Sequence, residues 1–152
     1  MDGGSGDDHL DDFESGADIL RGGDGDDVFY LNSTEAGVDT VYGGAGADIF
    51  HFSGLSSGTA ANRDKFFDFA SGTDEFVISR EAFGVAANGQ FQVISQAATP
   101  AASATLSTVF YDTDNHALFF DLAGGGANFK RIADLVGNFP AALAASDFEF
   151  VA

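Results

Sequence analysis

The chain of 152 residues contains no cysteine and no tryptophan, two prolines, and six lysines and arginines against 24 aspartates and glutamates. Without cysteine there are neither disulfides nor thiolate metal sites, and the redox compartment leaves no mark on the sequence. The shortage of bases gives a formal net charge of −18. Such a field repels nucleic acid and anionic membrane, and it strains the compact state by self-repulsion unless cations neutralise it. No apolar run approaches the roughly 18 residues of a membrane span. The first residues also lack the basic, then apolar, layout of a secretory leader. An exported chain of this kind has to carry its address elsewhere.

Recognisable catalytic chemistry is missing too. His9, His51 and His116 stand singly, with no second histidine at i+4 and no neighbouring glutamate on a helix, so no zinc-protease motif is present. No serine sits in a G-x-S-x-G or triad-like setting. Residues 112 to 123, DTDNHALFFDLA, begin like an EF-hand loop but place Ala117 where the loop needs glycine and Ala123 where it needs glutamate. Gly124-Gly125-Gly126 is followed by no G-K-S/T and reads as a turn.

What the sequence does hold is a 45% hydrophobic content with 17 phenylalanines, enough for one packed domain at this length. Of the 24 acids, 13 fall at or before His51, where Arg21 is the only lysine or arginine. Five nine-residue segments align in that stretch: GGSGDDHLD from Gly3, FESGADILR from Phe13, GGDGDDVFY from Gly22, TEAGVDTVY from Thr34 and GGAGADIFH from Gly43. Every copy has glycine at position four (Gly6, Gly16, Gly25, Gly37, Gly46) and aspartate at position six (Asp8, Asp18, Asp27, Asp39, Asp48). Position eight is always large and apolar (Leu10, Leu20, Phe29, Val41, Phe50). Asp12 is an extra residue between copies one and two, and Leu31, Asn32 and Ser33 separate copies three and four, as insertions mapping to loops would.

Each unit divides into a six-residue turn and a very short strand. Glycines permit positive φ and leave carbonyls uncovered, the aspartate adds a carboxylate, and the eighth residue points inward to the core of a stacked coil. The converging oxygens suit a hard cation. Calcium accepts roughly six to eight oxygens from carboxylates and carbonyls, magnesium resists losing its waters, and zinc asks for histidine or cysteine. A solvated Gly/Asp linker has no reason to fill the same slot with Leu, Leu, Phe, Val and Phe.

With these residues the stretch resembles the G-G-x-G-x-D-x-U-x nonapeptide of RTX (repeats-in-toxin) proteins, and copies one, three and five carry all four defined positions. The resemblance implies a right-handed parallel β-roll with two nonapeptides per turn, and several Ca2+ ions, each shared by a turn and its equivalent one coil further on. The implied ligands are Gly4, Gly6, Asp8, Gly23, Gly25, Asp27, Gly44, Gly46 and Asp48 on one side of the roll. On the other they are Gly16, Asp18, Gly37 and Asp39. Ions are expected between copies one and three, three and five, and two and four. Copies two and four replace the paired glycines with Phe13-Glu14 and Thr34-Glu35. Either the glutamates substitute for the lost carbonyl geometry, or that side is a weaker or empty site.

Residues 52 to 61 turn to Ser, Gly and Ala and read as a loop. RDKFFDFASGTDEFVIS, residues 63 to 79, reads as strand, turn, strand. It resembles the segment after the repeats in the C-terminal domain of serralysin-type metalloproteases, of the form D-x-(I/F)-x-D-F-x-x-G-x-D-x-(I/F). The resemblance makes Asp64, Asp68 and Asp74 either closing ligands of the last calcium site or strand caps. QFQVIS (90 to 95), STVFYDT (107 to 113) and HALFFDLA (116 to 123) read as strands, the last two joined as a hairpin across Asp114-Asn115. The ending SDFEFVA, an acid before a short apolar tail, is similar to the uncleaved signals of serralysin-like proteins exported by type I ABC transporters.

The expected fold is therefore all-β, one domain over 1–152, with a nonapeptide β-roll over 1–52 running into a β-sandwich-like part over 53–152. The expected role is that of a secreted, non-catalytic, calcium-binding domain that folds on meeting calcium and is handled by a type I transporter during export. Its parent would be a larger protein such as a serralysin-like zinc protease. The alternative is a calcium-stabilised polysaccharide-binding module, as in alginate epimerase R-modules or RTX adhesins. For that role the bases Arg63, Lys65, Arg80, Lys130 and Arg131 are few.

Overall fold

A nine-residue period forces the chain to reverse twice per coil, so successive strands fall alternately into two sheets. The computed structural model describes residues 1–12, 15–31, 37–52, 63–81, 83, 91–97, 107–121 and 129–152. The larger sheet takes β1 (Asp2–Ser5), β3 (Ile19–Asp24), β5 (Thr40–Ala45) and β7 (Asp64–Phe66). The smaller takes β2 (His9–Asp12), β4 (Val28–Leu31), β6 (Ile49–Phe52) and β8 (Glu75–Ser79). Every pairing among these eight strands is parallel, the arrangement of a β-roll.

The register is set by position eight. Leu10 pairs with Phe29, Phe29 with Phe50, and Phe50 with Phe76 along the small sheet, while Leu20 pairs with Val41 and Val41 with Phe66 along the large one. All seven side chains are at most 2% exposed and belong to one core. A one-residue slip would turn the whole column outward, so burial fixes the register.

The coil extends beyond residue 52, the expected end of the roll. β7 and β8 continue it because residues 59–67 (TAANRDKFF) and 69–77 (FASGTDEFV) keep aspartate at position six and phenylalanine at position eight. Residues 63 to 79 contain the expected strand, turn and strand, with the two strands in different sheets. The loop read at 52–61 lies outside the described residues except for Phe52, which ends β6.

After the coil, β9 (Phe91–Gln96), β10 (Ser107–Asp112), β11 (Ala117–Asp121) and β12 (Phe129–Leu135) extend the large sheet in the order β7-β12-β11-β10-β9. β10 and β11 form the expected antiparallel hairpin, from Thr108 opposite Asp121 to Asp112 opposite Ala117. The Asp112 carboxylate builds its turn, since the amides of Asp114 and Asn115 and the Asn115 side chain all donate to it, which holds its carboxyl below the usual range. A short 3₁₀ turn (Ala145–Asp147) leads into β13 (Phe148–Val151), which lies parallel to β8 and completes the small sheet. The reading of Gly124 to Gly126 as a turn falls outside the described residues.

The core's centre is a phenylalanine cluster where roll meets sandwich. Phe76 is stacked on Phe69 at 4.2 Å and packs against Phe50, Phe52, Phe66 and Phe148. Removing a fully buried aromatic ring costs about 3–5 kcal/mol. In calcium-containing buffer, Phe76→Ala is expected to lose stability on that scale in urea unfolding, while Ile19→Ala, at a side chain 46% exposed, shifts it by about 0.5 kcal/mol or less.

Candidate metal centres

With residues 59–67 as copy six and 69–77 as copy seven, the described turn residues of copies one, three, five and seven stack on one edge of the roll, and those of copies two, four and six on the other. On the first edge the position-six aspartates form a ladder across coils. The amide of Asp8 donates to Asp27 Oδ1 (2.8 Å), that of Asp27 to Asp48 Oδ1 (3.0 Å), and that of Asp48 to Asp74 Oδ1 (3.2 Å). Position five adds a second ladder, in which Asp26 N–H donates to Asp7 Oδ1 and Ala47 N–H to Asp26 Oδ1.

The second oxygens are the informative ones. Asp8 Oδ2, Asp27 Oδ2 and Asp48 Oδ2 are buried with no hydrogen-bond partner at all. An orphaned buried carboxylate oxygen costs on the order of 1–3 kcal/mol or more unless a cation compensates it. No base supplies that charge, because the ion pairs among the described residues are His9–Asp11 and Arg131–Asp134. Burial, reinforced by neighbouring carboxylates, raises the Asp27 carboxyl above its usual range and pushes Asp48 to about 6.

Glycine makes room for these oxygens. A Cβ at Gly3, Gly22 or Gly43 would run into the Oδ2 of its own copy's Asp8, Asp27 or Asp48. Gly4, Gly23 and Gly44 lie in register, and a Cβ at Gly23 or Gly44 would strike the carbonyl oxygen of the preceding coil's equivalent. Gly25 shows both demands at once: its φ is +135°, and a Cβ there would meet the Gly6 carbonyl oxygen. Gly46 stands in the same relation to Gly25. This edge thus combines backbone carbonyls, carboxylates and uncompensated charge, the donor set of a hard divalent cation.

On the other edge Asp18 N–H donates to Asp39 Oδ1 (2.9 Å) and Asp39 N–H to Asp64 Oδ1 (3.1 Å). Gly16 and Gly37 are stacked so closely that a Cβ at Gly37 would overlap the Gly16 carbonyl. Here carboxylates gather: oxygens of Asp12, Asp18 and Asp39 all lie within 4.8 Å of one another. Asp64, 3% exposed, is pushed up to about 7 by burial and by Asp39 beside it. Asp12 was legible only as an insertion. The signal that marks it is an acid placed four residues after a position-six aspartate and just before a copy that lacks its paired glycines. Glu14 and Glu35 lie outside the described residues.

Asp68 and Asp74 differ from the orphaned aspartates. Both Asp68 oxygens accept backbone amides, from Gly43 (2.9 Å) and Gly44 (3.1 Å). Asp74 accepts Asp48 N–H on Oδ1 and Ala70 N–H on Oδ2 (2.7 Å), and burial raises its carboxyl.

Residues 2–149 match the family model described as Peptidase M10 serralysin C terminal. The chain belongs to this family of RTX-type repeat domains, and it is a non-catalytic, calcium-binding β-roll. A similar solved structure is the solution structure of the AlgE6R3 subunit from the Azotobacter vinelandii mannuronan C5-epimerase, at 26% identity over 97% of this chain and 80% of that one, with a TM-score of 0.47. No curated protein matches the chain.

The raised carboxyls fix the sign of a pH dependence. With metal chelated, the folded chain holds protons on Asp48 and Asp64 more tightly than the unfolded chain, whose aspartates titrate near 3.8. The stabilisation this gives is fully present below that value and is lost as pH rises through about 6 and 7. In EDTA the fraction of folded chain, read by circular dichroism, is therefore expected to be greatest near pH 5 and to be lost by pH 8, and Asp48→Asn should flatten the change. A folded fraction rising over that range would contradict the burial of these carboxylates.

Proposed function

We propose that this domain is folded by calcium outside the cell and kept unfolded for export inside it. The observation that carries the reading is the trio of buried, unpartnered oxygens at Asp8, Asp27 and Asp48 in a chain of net charge −18. The proposed ligands on the first edge are the carboxylates of Asp8, Asp27 and Asp48 with the carbonyls of Gly4, Gly6, Gly23, Gly25, Gly44 and Gly46. On the second they are Asp12, Asp18 and Asp39 with Gly16 and Gly37, and Asp64 beside them. When bound, calcium would supply the positive charge that the protein's own side chains do not, and these oxygens would be its ligands. Asp68 and Asp74 act as closing residues, because their oxygens are already engaged by backbone amides.

Where calcium is scarce, the turns repel one another and the coils stay open, as a narrow export channel requires. Extracellular modules of this kind bind at roughly 10⁻⁴ to 10⁻³ M, so binding free energy becomes folding free energy only after export. Phe148–Val151, read as part of the type I export signal, is a strand of the small sheet in the folded chain. It is available to a transporter only before folding. A role in gripping anionic polysaccharide is less well supported: Arg131 is paired with Asp134, and Arg80 sits over the rings of Phe91 and Phe150.

Circular dichroism in EDTA at pH 8 is expected to show a largely unfolded chain that gains β structure cooperatively on adding millimolar calcium, with magnesium at the same concentration ineffective. Gly25→Ala is expected to abolish that transition or move it at least about tenfold higher in calcium, since both its φ and its Cβ are disallowed. Equal spectra and melts with EDTA and calcium would end the proposal.

A further inference from the structure

Among the described residues, no further coil follows the last turn of the first edge. The Asp74 amide folds back on the Ala70 carbonyl (2.9 Å), which leaves the donors of Ser71 and Gly72 facing the chain's last segment. Asp147 meets them. It is fully buried, and its carboxylate accepts Ser71 Oγ–H (2.7 Å), Gly72 N–H (2.9 Å) and Ala144 N–H (2.8 Å). One carboxylate thus joins segments more than seventy residues apart, and the next residue, Phe148, opens β13 and stacks on Phe76 at 5.7 Å.

We infer that Asp147 is a positioning residue that caps the stacked calcium turns and locks β13 to them, although it lies outside both sets of proposed ligands. The physical argument is reciprocal. If the seventh turn opens, Asp147 loses two of its three donors and becomes an uncompensated buried charge, so β13 is held only while the turns are formed. If Asp147 is removed, the Gly72 amide and the Ser71 hydroxyl lose their acceptor at the end of the column, and every coil beneath has a weaker end to stack on. The strand and the metal-dependent turns therefore form together.

This inference rests on the calcium-coupled folding proposed above, and one experiment separates the two. The whole chain is titrated with calcium from EDTA, reading the midpoint by circular dichroism and amide exchange over residues 148–151 by mass spectrometry. In the wild type, protection of 148–151 is expected to appear with the folding midpoint. Asp147→Ala is expected to raise that midpoint about fivefold or more and to leave 148–151 exchanging rapidly at saturating calcium, because the lost charge-assisted bonds are shared over several ions. Ser71→Ala, which removes a single donor, should shift both readouts in the same direction by less. If Asp147→Ala does not fold at any calcium concentration, Ser71→Ala decides, and an unchanged midpoint with unchanged protection overturns the cap. A wild-type midpoint in Asp147→Ala, with only β13 frayed, would mean a local structural role and also overturns it. A wild type equally folded in EDTA and calcium overturns the calcium-coupled reading itself.

Discussion

The structure turns on the two oxygens of one aspartate. At Asp27 and Asp48, Oδ1 accepts the amide of the equivalent aspartate in the preceding coil, while Oδ2 is buried and left open. The first oxygen sets the spacing between coils. The second leaves a charge that the protein does not neutralise. Asparagine would keep the first bond but turn an NH₂ group toward the position where a cation belongs, and glutamate would overshoot the amide by a methylene. Glycine at the first position follows from the same constraint, since a Cβ at Gly22 would occupy the space of Asp27 Oδ2. The repeat is one device whose parts fail together.

Apolar burial and ionic compensation are unevenly distributed along the roll. The inward slot runs Leu10, Leu20, Phe29, Val41, Phe50, Phe66, Phe76, and the large rings gather where β6, β7 and β8 meet β13. β1, at the other end, is exposed at every residue. The first coils thus bury less apolar surface per residue than the last ones. They are also the most acidic part of the chain. On the calcium-coupled reading proposed above, the coils near β1 are therefore expected to be the first to open when cations are withdrawn.

The period, the two-sheet architecture and the first-edge glycines and aspartates were legible because the repeat writes one chemical demand at a fixed spacing. Legibility faded where the demand was met in another way. Copies six and seven keep only Asp64 and Phe66, or Gly72, Asp74 and Phe76, and insertions displace them from the nine-residue frame. Their register appears only when β7 and β8 pair with β5 and β6. Asp12 looked like an interruption because its role depends on which coil it folds over. Asp147 could not be found by spacing at all, since its partners Ser71 and Gly72 are distant in sequence and come close only through the pairing of β13 with β8.

The two edges answer the same electrostatic problem differently. The first keeps its paired glycines, so backbone carbonyls can crowd together beside the position-six carboxylates, with Asp7 and Asp26 in the ladder next to them. The second has lost those glycines in copies two and four, and there Asp12 joins Asp18 and Asp39 within 4.8 Å while Asp64 is buried beside Asp39. Gathered carboxylates in place of carbonyl dipoles keep a hard-cation donor set on an edge without paired glycines, and on the calcium-coupled reading that edge is expected to close only where a cation balances Asp12, Asp18 and Asp39.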